Sequence, residues 1–315
     1  MQPWNFHQYS GVNWRDYYDP VSFYQWRRKA NELHQSLFGY PVKDKFSVLL
    51  STYNPERIEH LSLLIQHLLR SNYVHTVFIT WHNPALEVPA SLLEGVKDAS
   101  RVKILPQEFD SLNNRFNPVA ELQTEAVYIL DDDIFVDLKD LAFTFKVWQS
   151  RKDSVVGHFP RYHSYDPETY KAVYKVPFRE NKYSMVLTKS MFIHSDYLFA
   201  YTCVLDSALH HHVDNILNCE DISFSMMASG LSAAGPLAVL PNRPISDFGL
   251  KNGISTNSGH MPARSQCVSD LITHFWNKQD PLIYAQESVI PYRRPTLRRG
   301  SWSGIRSQLR SYRNN

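Results

Sequence analysis

The chain has 315 residues, enough to bury one large hydrophobic core or two smaller ones. Its 33 basic and 31 acidic residues nearly cancel, so no global charge points to a nucleic acid or to a membrane surface. No stretch approaches the roughly 20 consecutive apolar residues of a membrane-spanning helix, and the amino terminus resembles neither a signal peptide nor a transit peptide. We therefore expect a soluble chain that does not bind nucleic acid.

Strand and helix patterns alternate through the first half of the chain. Short apolar and β-branched runs predict strands at Phe46 to Thr52, Val74 to Trp81, Val102 to Leu105 and Ala126 to Leu130. Apolar residues at i, i+3, i+4 spacing predict helices over residues 58–69, 91–96 and 138–149, and residues 111–116 form a loop or a helical turn. This alternation predicts βαβ units around a parallel sheet, which is a nucleotide-binding architecture. Because neither GxGxxG nor a Walker A motif occurs, a dinucleotide fold and a P-loop kinase are not supported.

The pattern loosens after residue 157. Predicted strands cover residues 183–188 and 237–240, and predicted helices cover residues 221–229 and 267–276, which indicates a mixed half that continues the same sheet. We divide the chain into an aromatic arm (residues 1–45), one domain (46–290) and a tail (291–315). The tail contains arginine, serine and glycine but no acidic residue, a composition typical of disordered basic segments.

The most informative motif is Asp131-Asp132-Asp133, directly after the fourth predicted strand. Aspartate is depleted in strands and adjacent carboxylates repel one another, so a divalent cation among them would offset an unfavourable arrangement. Carboxylate oxygens suit Mg²⁺ and Mn²⁺, which commonly bind one or two carboxylates together with phosphate oxygens. The alternative is an acidic turn that caps the following helix, which is predicted to begin near Asp137.

Polar side chains also lie at the ends of other predicted elements: Tyr53-Asn54, His82-Asn83, Asn113-Asn114-Arg115 and Glu220-Asp221. The carboxyl ends of parallel strands meet at one edge of a sheet, where ligands bind in open α/β folds. In this interpretation Tyr53 stacks on a base, asparagine side chains read the base edge, Arg115 meets phosphate and a cation joins a diphosphate to Asp133. Each group also has a structural interpretation, because asparagine is common in turns and Asp221 is of the preferred N-cap type.

Three cysteines are present: Cys203, Cys219 and Cys267. They are too few for a disulfide framework, and their spacing fits no zinc site. The residues alone leave two states open, which are one disulfide with one free thiol or three reduced thiols.

The motifs "LLSTYNPERIEHL", "ITWHNP", "SLNNRFNP", "VYILDDDIFV", "NCEDISFSMM" and "CVSDL", followed by "PLIY", occur in that order. Through them the chain resembles the exostosin-like glycosyltransferases, relatives of the catalytic domains that build heparan sulfate, from Phe46 to Tyr284. The resemblance implies an α/β domain of the A-type nucleotide-sugar glycosyltransferase fold (GT-A), in which a Rossmann-like parallel half continues into a mixed acceptor half. It also implies Mn²⁺, with Mg²⁺ as the alternative, a UDP-sugar donor and transfer with retention of anomeric configuration.

Residue by residue, the resemblance assigns donor binding to Tyr53, Asn54, Arg57, Asn83, Asn114, Arg115, Asp131 and Asp132. It makes Asp133 the direct metal ligand and Asp221 the carboxylate of the transfer step, while Glu220 is expected to point elsewhere from the helix start. Cys219 and Cys267 match two cysteines that pair in relatives. The implied disulfide would join the starts of two helices and leave Cys203 free.

Three places depart from the family pattern. Pro55 stands where relatives often have arginine, so Arg57 would have to reach the site instead. Asp110 stands where relatives have asparagine. Asn257 and Ser258 stand where relatives usually carry an arginine, before the histidine that corresponds to His260, and Arg264 is then the nearest arginine.

We therefore predict a metal-dependent, retaining transferase that moves a sugar from a UDP-sugar, with UDP-N-acetylglucosamine expected, onto a glycan or glycolipid acceptor in an α-linkage. One alternative is a UDP-binding pseudoenzyme or scaffold that has lost transfer with the missing arginine. Another is an unrelated cation-dependent phosphotransferase or nucleotidyltransferase. A homodimer and a membrane-anchored partner both stay open. The family and a persistent disulfide favour the lumen of the Golgi or endoplasmic reticulum.

Overall fold

The structure is a computed structural model that describes residues 41–176, 182–250 and 259–291. The predicted arm up to residue 40, nearly all of the predicted tail, and Asn257 and Ser258 lie outside the described residues. Strand β1 (Val42–Thr52) begins before the predicted start at Phe46. The apolar pattern does not extend to its start, because residues 43–45 are charged, yet Val42 already pairs with Thr124.

Strands and helices alternate up to residue 150, as predicted. The elements of this half are β1, α1 (Ile58–Leu69), β2 (Val74–Trp81), β3 (Val102–Pro106), β4 (Thr124–Asp131), β5 (Ile134–Phe135) and α2 (Leu138–Ser150). The predicted helix over residues 91–96 is instead a 3₁₀ turn (Ala90–Leu93). Gly95 has a left-handed φ of 74°, which a regular helix cannot continue through.

The second half is mixed, as predicted. Its strands are β6 (Val156–Gly157), β7 (Pro160–Tyr165), β8 (Ala172–Lys175), β9 (Met185–Val186), β10 (Ser190–His194), β11 (Leu237–Val239), β12 (Ser246–Asp247) and β13 (Ser288–Val289). Its helices are α3 (Asp196–Phe199), α4 (Ser207–Ile216), α5 (Glu220–Ser232) and α6 (His260–His274). No helix of the described part is both long and apolar enough to cross a membrane.

Two predicted elements of this half have different limits. The strand predicted over residues 183–188 is reduced to β9, because Tyr183 pairs with Ala285 whereas Met185 pairs with Arg161, so no single ladder runs through the segment. Helix α6 begins at His260 rather than at Cys267. Its early turns contain Arg264, which is buried as a charged residue and therefore adds nothing to an apolar pattern.

The main sheet has eight strands in the order β13-β11-β6-β10-β4-β1-β2-β3. Strand β1 is parallel to both β2 and β4, and β2 is parallel to β3, whereas β10 runs antiparallel to β4. A parallel half with βαβ connections thus continues into a mixed half within one sheet, which is the predicted GT-A fold class.

Strand β4 lies in the middle of the sheet and faces a core on each side. Ala126, Tyr128 and Leu130 pack in the cluster that contains α1 and α2, whereas Val127 and Ile129 pack in the cluster that contains α5 and α6. Successive side chains of a strand point to opposite faces, so a strand covered on both faces is apolar throughout. The apolar run therefore ends where β4 leaves the core, and the aspartate triplet begins at that point.

Candidate active site

The aspartate triplet lies at the carboxyl end of β4, beside the end of β1. The hydroxyl of Thr52 donates a 2.7 Å hydrogen bond to Oδ2 of Asp132. Arg57 reaches the same group, since its Nη1 is 2.8 Å from Oδ1 of Asp132 and 3.5 Å from Oδ2 of Asp133. Arg57 thus supplies the guanidinium that relatives often carry at the position of Pro55. The triplet does not cap α2, because Asp137 does so by accepting from the backbone N–H of Lys139 at 2.9 Å.

Asp133 has the features of a cation ligand. Its Oδ1 is buried and accepts no hydrogen bond from any described residue. Burial raises the pKa of Asp133 to about 6, and the repulsion of Asp131 adds to this shift. A buried carboxylate oxygen without a partner fits Mn²⁺ or Mg²⁺. Among the described residues no group of three or more histidine, cysteine, aspartate or glutamate side chains is arranged for a metal, so phosphate oxygens would have to complete the coordination.

Arg115 links the triplet to the second half of the domain. It lies on a 3₁₀ turn (Leu112–Phe116) and is buried. Its Nη1 donates to Oδ1 of Asp131 at 3.1 Å and to the hydroxyl of Thr188 at 2.8 Å, and it lies 3.8 Å from Oε1 of Glu220. Burial opposes the charge of Arg115, but Asp131 and Glu220 outweigh it and raise the pKa, so the guanidinium stays protonated. Its buried Nε has no hydrogen-bond partner among the described residues.

Both acidic residues at the start of α5 point into the site. Cys219 is the N-cap, with a left-handed φ of 78°, so Asp221 is not the cap. The expectation that Glu220 points elsewhere is wrong, because α5 is buried around nearly its whole circumference and offers no exposed side to this residue. Burial and the neighbouring carboxylate of Asp221 raise the pKa of Glu220. The motif "NCED" placed two carboxylates together, and this adjacency was the available signal for Glu220.

Asp221 is paired with Arg264 of α6. Nη2 of Arg264 donates to Oδ2 of Asp221, and Nη1 donates to Oδ1 of Asn218 at 3.1 Å. The guanidinium also lies over the ring of Tyr174, 4.5 Å from its centroid. Both partners of the ion pair are nearly inaccessible to solvent. An arginine therefore does contact Asp221, although none is present at the position before His260 where relatives usually carry one.

The residues predicted to bind the base differ in whether their side chains are available to a ligand. Tyr53 is 51% exposed and its ring is free to stack on a ligand. The side-chain oxygen of Asn54 accepts from the backbone N–H of Glu56 at 2.9 Å, and that of Asn83 accepts from Ala85 at 3.1 Å. Asn114 also makes local contacts: its Nδ2 donates to the carbonyl oxygen of Phe109 at 2.8 Å. These asparagines stabilise turns, and a role in reading a base stays a prediction for each of them.

A disulfide joins Cys219 to Cys267, with 6.2 Å between the Cα atoms. Cys203 is free and buried. The predicted pairing is confirmed, but it connects the start of α5 to the middle of α6, because α6 begins at His260. The bond therefore fastens together the two helices that carry Asp221 and Arg264.

Residues 46–292 match the sequence profile described as "Glycosyl transferase family 64 domain". The chain belongs to glycosyl transferase family 64. It is 32% identical over 270 residues to "Glycosyltransferase family protein 64 C3" of Arabidopsis thaliana, covering 78% of this chain and 80% of that protein. It is 30% identical to "Glycosylinositol phosphorylceramide mannosyl transferase 1" of the same plant, covering 79% and 77%.

Other similarities cover less of the matching protein. The chain is 28% identical to exostosin-2 of Bos taurus. This alignment covers 89% of the chain but only 40% of exostosin-2. A crystal structure of GalNAc-T7 with UDP, GalNAc and Mn²⁺ matches 74% of this chain and 49% of that one, at 12% identity and a TM-score of 0.48. The predicted family is confirmed. This family 64 protein is a glycosyltransferase, which rules out the unrelated phosphotransferase.

Proposed function

We propose that this family 64 protein is a metal-dependent, retaining transferase. Its donor is a nucleotide sugar, UDP-N-acetylglucosamine by family resemblance, and its acceptor is a glycan or a glycolipid that receives an α-linked sugar. The observation that carries the proposal is the position of Arg115, 3.1 Å from Asp131 and 3.8 Å from Glu220. This arginine joins the triplet, which suits a cation and a diphosphate, to the Asp221 end of α5, so donor and acceptor groups would meet within one site.

The donor would bind along the edge formed by β1 and β4. The exposed ring of Tyr53 would stack on the base. Arg57 and Arg115 would bind the diphosphate, since a guanidinium pairs with phosphate through two parallel hydrogen bonds. Asp133 would hold Mn²⁺ or Mg²⁺, and the bound cation would neutralise the charge of the leaving diphosphate.

Transfer breaks the bond between the anomeric carbon and the phosphate oxygen and forms one to the acceptor oxygen on the same face of the sugar. The acceptor proton passes to the departing phosphate oxygen, so no separate base is required. Positive charge develops on the sugar ring meanwhile, and the carboxylate of Asp221 stabilises it. Arg264 fixes the orientation of this carboxylate through its buried contact with Oδ2.

The pseudoenzyme alternative, in which transfer activity is lost, was based on the missing arginine before His260. The contact between Arg264 and Asp221 supports an active enzyme instead, because the two charged groups are buried together beside the start of α5. A scaffold domain would have no evident need to retain such a pair. A buried ion pair is often no more stable than apolar residues of similar volume.

A guanine nucleotide is a second candidate for the donor. Nδ1 of His82 lies 3.0 Å from the carbonyl oxygen of Ser111, so Nδ1 carries the proton and Nε2 keeps its lone pair. Burial lowers the pKa of His82 to about 4, and its buried Nε2 has no partner within the described ranges. The exposed residue Asp110 precedes Ser111 in the chain, and its carboxylate would provide a second acceptor. Adjacent N–H groups of guanine match such acceptors better than uracil, which offers a single N–H.

A donor screen tests the proposal. Release of UDP or GDP is measured from UDP-N-acetylglucosamine, UDP-glucose, UDP-galactose and GDP-mannose, each with Mn²⁺ and with a chelator. The mannosyl transferase among the relatives makes mannose the second candidate sugar. We expect turnover of one donor that stops with the chelator. Binding without turnover of any donor would favour the pseudoenzyme, and turnover that survives the chelator would contradict metal dependence.

We further propose that the enzyme works in the lumen of the secretory pathway, in the Golgi or the endoplasmic reticulum. The disulfide between Cys219 and Cys267 supports this location, since disulfides persist in oxidising compartments and are rare in the cytosol. Association into a homodimer and attachment to a membrane-anchored partner stay predictions.

A further inference from the structure

Lys189 lies in the turn between β9 and β10, beside the aspartate triplet, and the transfer proposed above does not use it. Its carbonyl oxygen accepts a hydrogen bond from the backbone N–H of Asp131 at 3.2 Å. The preceding residue, Thr188, accepts from Nη1 of Arg115 at 2.8 Å. The turn that carries Lys189 is therefore attached to the donor site at two points.

The ammonium group of Lys189 pairs with the carboxylate of Asp247. Nζ lies 3.1 Å from Oδ2 and 3.4 Å from Oδ1 of Asp247, and the two side chains are only 19% and 12% exposed. Asp247 belongs to β12 and pairs with Ile134, the residue that follows the triplet. The backbone N–H of Gly249 donates to Oδ1 of Asp247 at 3.0 Å and holds the carboxylate in place.

Asp133 lies close to this ion pair. A Cβ atom on Gly249 would be 2.1 Å from Oδ2 of Asp133 and 3.3 Å from Oδ1 of Asp247, so these oxygens are at most 5.4 Å apart, the sum of the two distances. Two carboxylates and one ammonium group thus share a small, largely buried space.

The charge balance of the triplet gives Lys189 a specific role. Arg57 lies 2.8 Å from Asp132 and 3.5 Å from Asp133, and Arg115 lies 3.1 Å from Asp131. Lys189, paired with Asp247, adds a further neutralising charge on the side of Asp133. A cation bound to Asp133 would replace that neutralising charge. The ammonium group, a compact charge on a flexible stem, would then be available to a phosphate oxygen.

We propose that Lys189 is a diphosphate-binding residue of the donor site, which Asp247 holds beside Asp133. The proposal rests on the proposed function, because it requires a donor diphosphate and a cation. On donor binding, Lys189 exchanges a carboxylate partner for a phosphate partner. Asp247 is then a positioning residue that acts through Lys189.

A purely structural ion pair would behave differently. It would attach β12 to the turn before β10, and its loss would lower stability without changing the affinity for either ligand. The proposed role predicts two opposite changes in affinity. Removing the positive charge beside Asp133 strengthens binding of Mn²⁺ alone, whereas removing a phosphate-binding group weakens binding of the nucleotide.

The test uses the full chain with Lys189→Met, which removes the charge and keeps most of the stem. Binding of Mn²⁺ alone is followed by electron paramagnetic resonance, and binding of UDP and of GDP by calorimetry at saturating Mn²⁺. We expect the Mn²⁺ affinity to rise about fivefold through lost charge repulsion. The wild type binds UDP or GDP, and we expect the variant's affinity for that nucleotide to fall about 10- to 100-fold, because a charged hydrogen bond is lost.

Two comparisons make the outcome specific. Lys152→Met removes another partly buried ion pair, with Glu125 at the beginning of β4, and should change neither affinity. Asp247→Asn should have no further effect on nucleotide binding in the Lys189→Met background, since it acts through Lys189. If Lys189→Met does not fold, Lys189→Gln should show the same two changes.

The results separate this role from the proposed function. If the wild type binds Mn²⁺ and a nucleotide but the Lys189 variant binds both with wild-type affinity, the role of Lys189 is wrong and the function stands. If the wild type binds neither UDP nor GDP with Mn²⁺, the proposed function fails, and the role of Lys189 fails with it.

Discussion

Arg264 and Asp221 form a buried ion pair although they are 43 positions apart in the chain. The same two helices are joined by the disulfide between Cys219 and Cys267. A covalent bond and an ion pair therefore hold α5 and α6 together beside the carboxylate of Asp221. This arrangement links the stability of the helix pair to the proposed chemistry.

Asp221→Asn should separate chemistry from donor binding. We expect kcat to fall at least about 10²-fold, about 2.7 kcal/mol of transition-state stabilisation, while the affinity for nucleotide with Mn²⁺ is retained. The charged hydrogen bond from Arg264 is weakened, so the free energy of unfolding should also fall, by about 2 kcal/mol. Steady-state kinetics, calorimetry and urea unfolding measure the three quantities.

The matched control for this substitution is Asp280→Asn. The Asp280 carboxylate is 2.6 Å from Nε2 of the buried His163, so its loss also weakens a charged hydrogen bond. We expect a comparable loss of stability with kcat unchanged. Near wild-type kcat in Asp221→Asn would mean that Asp221 is structural. In addition, the double variant with Asp221→Asn and Arg264→Met should lose less free energy of unfolding than the sum of the two single losses. The difference should be at least about 1 kcal/mol.

Asp133→Ala should abolish cation-dependent donor binding and leave the fold intact. The carboxylate is buried near other acidic groups, so its removal relieves repulsion in the metal-free protein, and the melting temperature should be unchanged or higher. Asp137→Ala is the control: it removes the N-cap of α2 and should cost about 1 kcal/mol without affecting the cation. Unchanged nucleotide affinity with Mn²⁺ in Asp133→Ala would remove Asp133 from the site.

Gly249→Ala should disturb the same carboxylate from the other side. A Cβ at this position would lie 2.1 Å from Oδ2 of Asp133, closer than two such atoms can approach, so the carboxylate must move. We expect the affinity for nucleotide with Mn²⁺ to fall about tenfold or more, which corresponds to about 1.4 kcal/mol. Gly235→Ala, whose Cβ would meet Ile283 at 3.2 Å, is the control and should bind normally. Equal affinities in the two variants would contradict the prediction.

Replacing both Cys219 and Cys267 by serine should lower the free energy of unfolding. The disulfide closes a loop between residues 48 positions apart, worth about 4 kcal/mol in the chain-entropy model. Cys203→Ser lacks this loop effect and is the control. Burial raises the pKa of Cys203 to about 12, so we expect this thiol to react slowly with alkylating reagents in the folded protein. Full alkylation of Cys219 and Cys267 in protein from an oxidising compartment, read by peptide mapping, would disprove the pairing.

His158 should make the protein less stable in mild acid. It is buried, with Nδ1 2.6 Å from the hydroxyl of Ser190 and Nε2 2.9 Å from that of Thr144. Burial lowers the pKa of His158 from 6.5 to about 4. The unfolded chain therefore takes up a proton first as the pH falls below 6.5, and the folded state loses up to about 3 kcal/mol by pH 4.

Urea unfolding at pH 7.5 and pH 5 tests this effect. His158→Gln has no titrating ring, so its stability should fall less between the two values than that of the wild type. Burial also lowers the pKa of His82 to about 4, so a smaller pH effect should persist in the variant. The same loss in the wild type and in His158→Gln would assign the acid sensitivity to other groups.

The sequence by itself determined the parallel half of the fold and the place of the aspartate triplet. Strands buried on both faces are continuous apolar runs, so β2 and β4 were visible as local patterns, and the triplet followed from its position after β4. It also placed Asp221 in a motif shared with the family and, through the family resemblance, predicted that Cys219 pairs with Cys267. These features depend on residues that are close together in the chain or on motifs with a fixed order.

Only the tertiary structure decided which charged groups meet. The pairs Glu220 with Arg115, Arg264 with Asp221 and Lys189 with Asp247 join residues from separate elements. A charged side chain has no periodic signal, and its burial depends on a partner that folding brings from a distant part of the chain. The sequence therefore supplied the individual charges of the site, whereas helix packing and sheet register paired them.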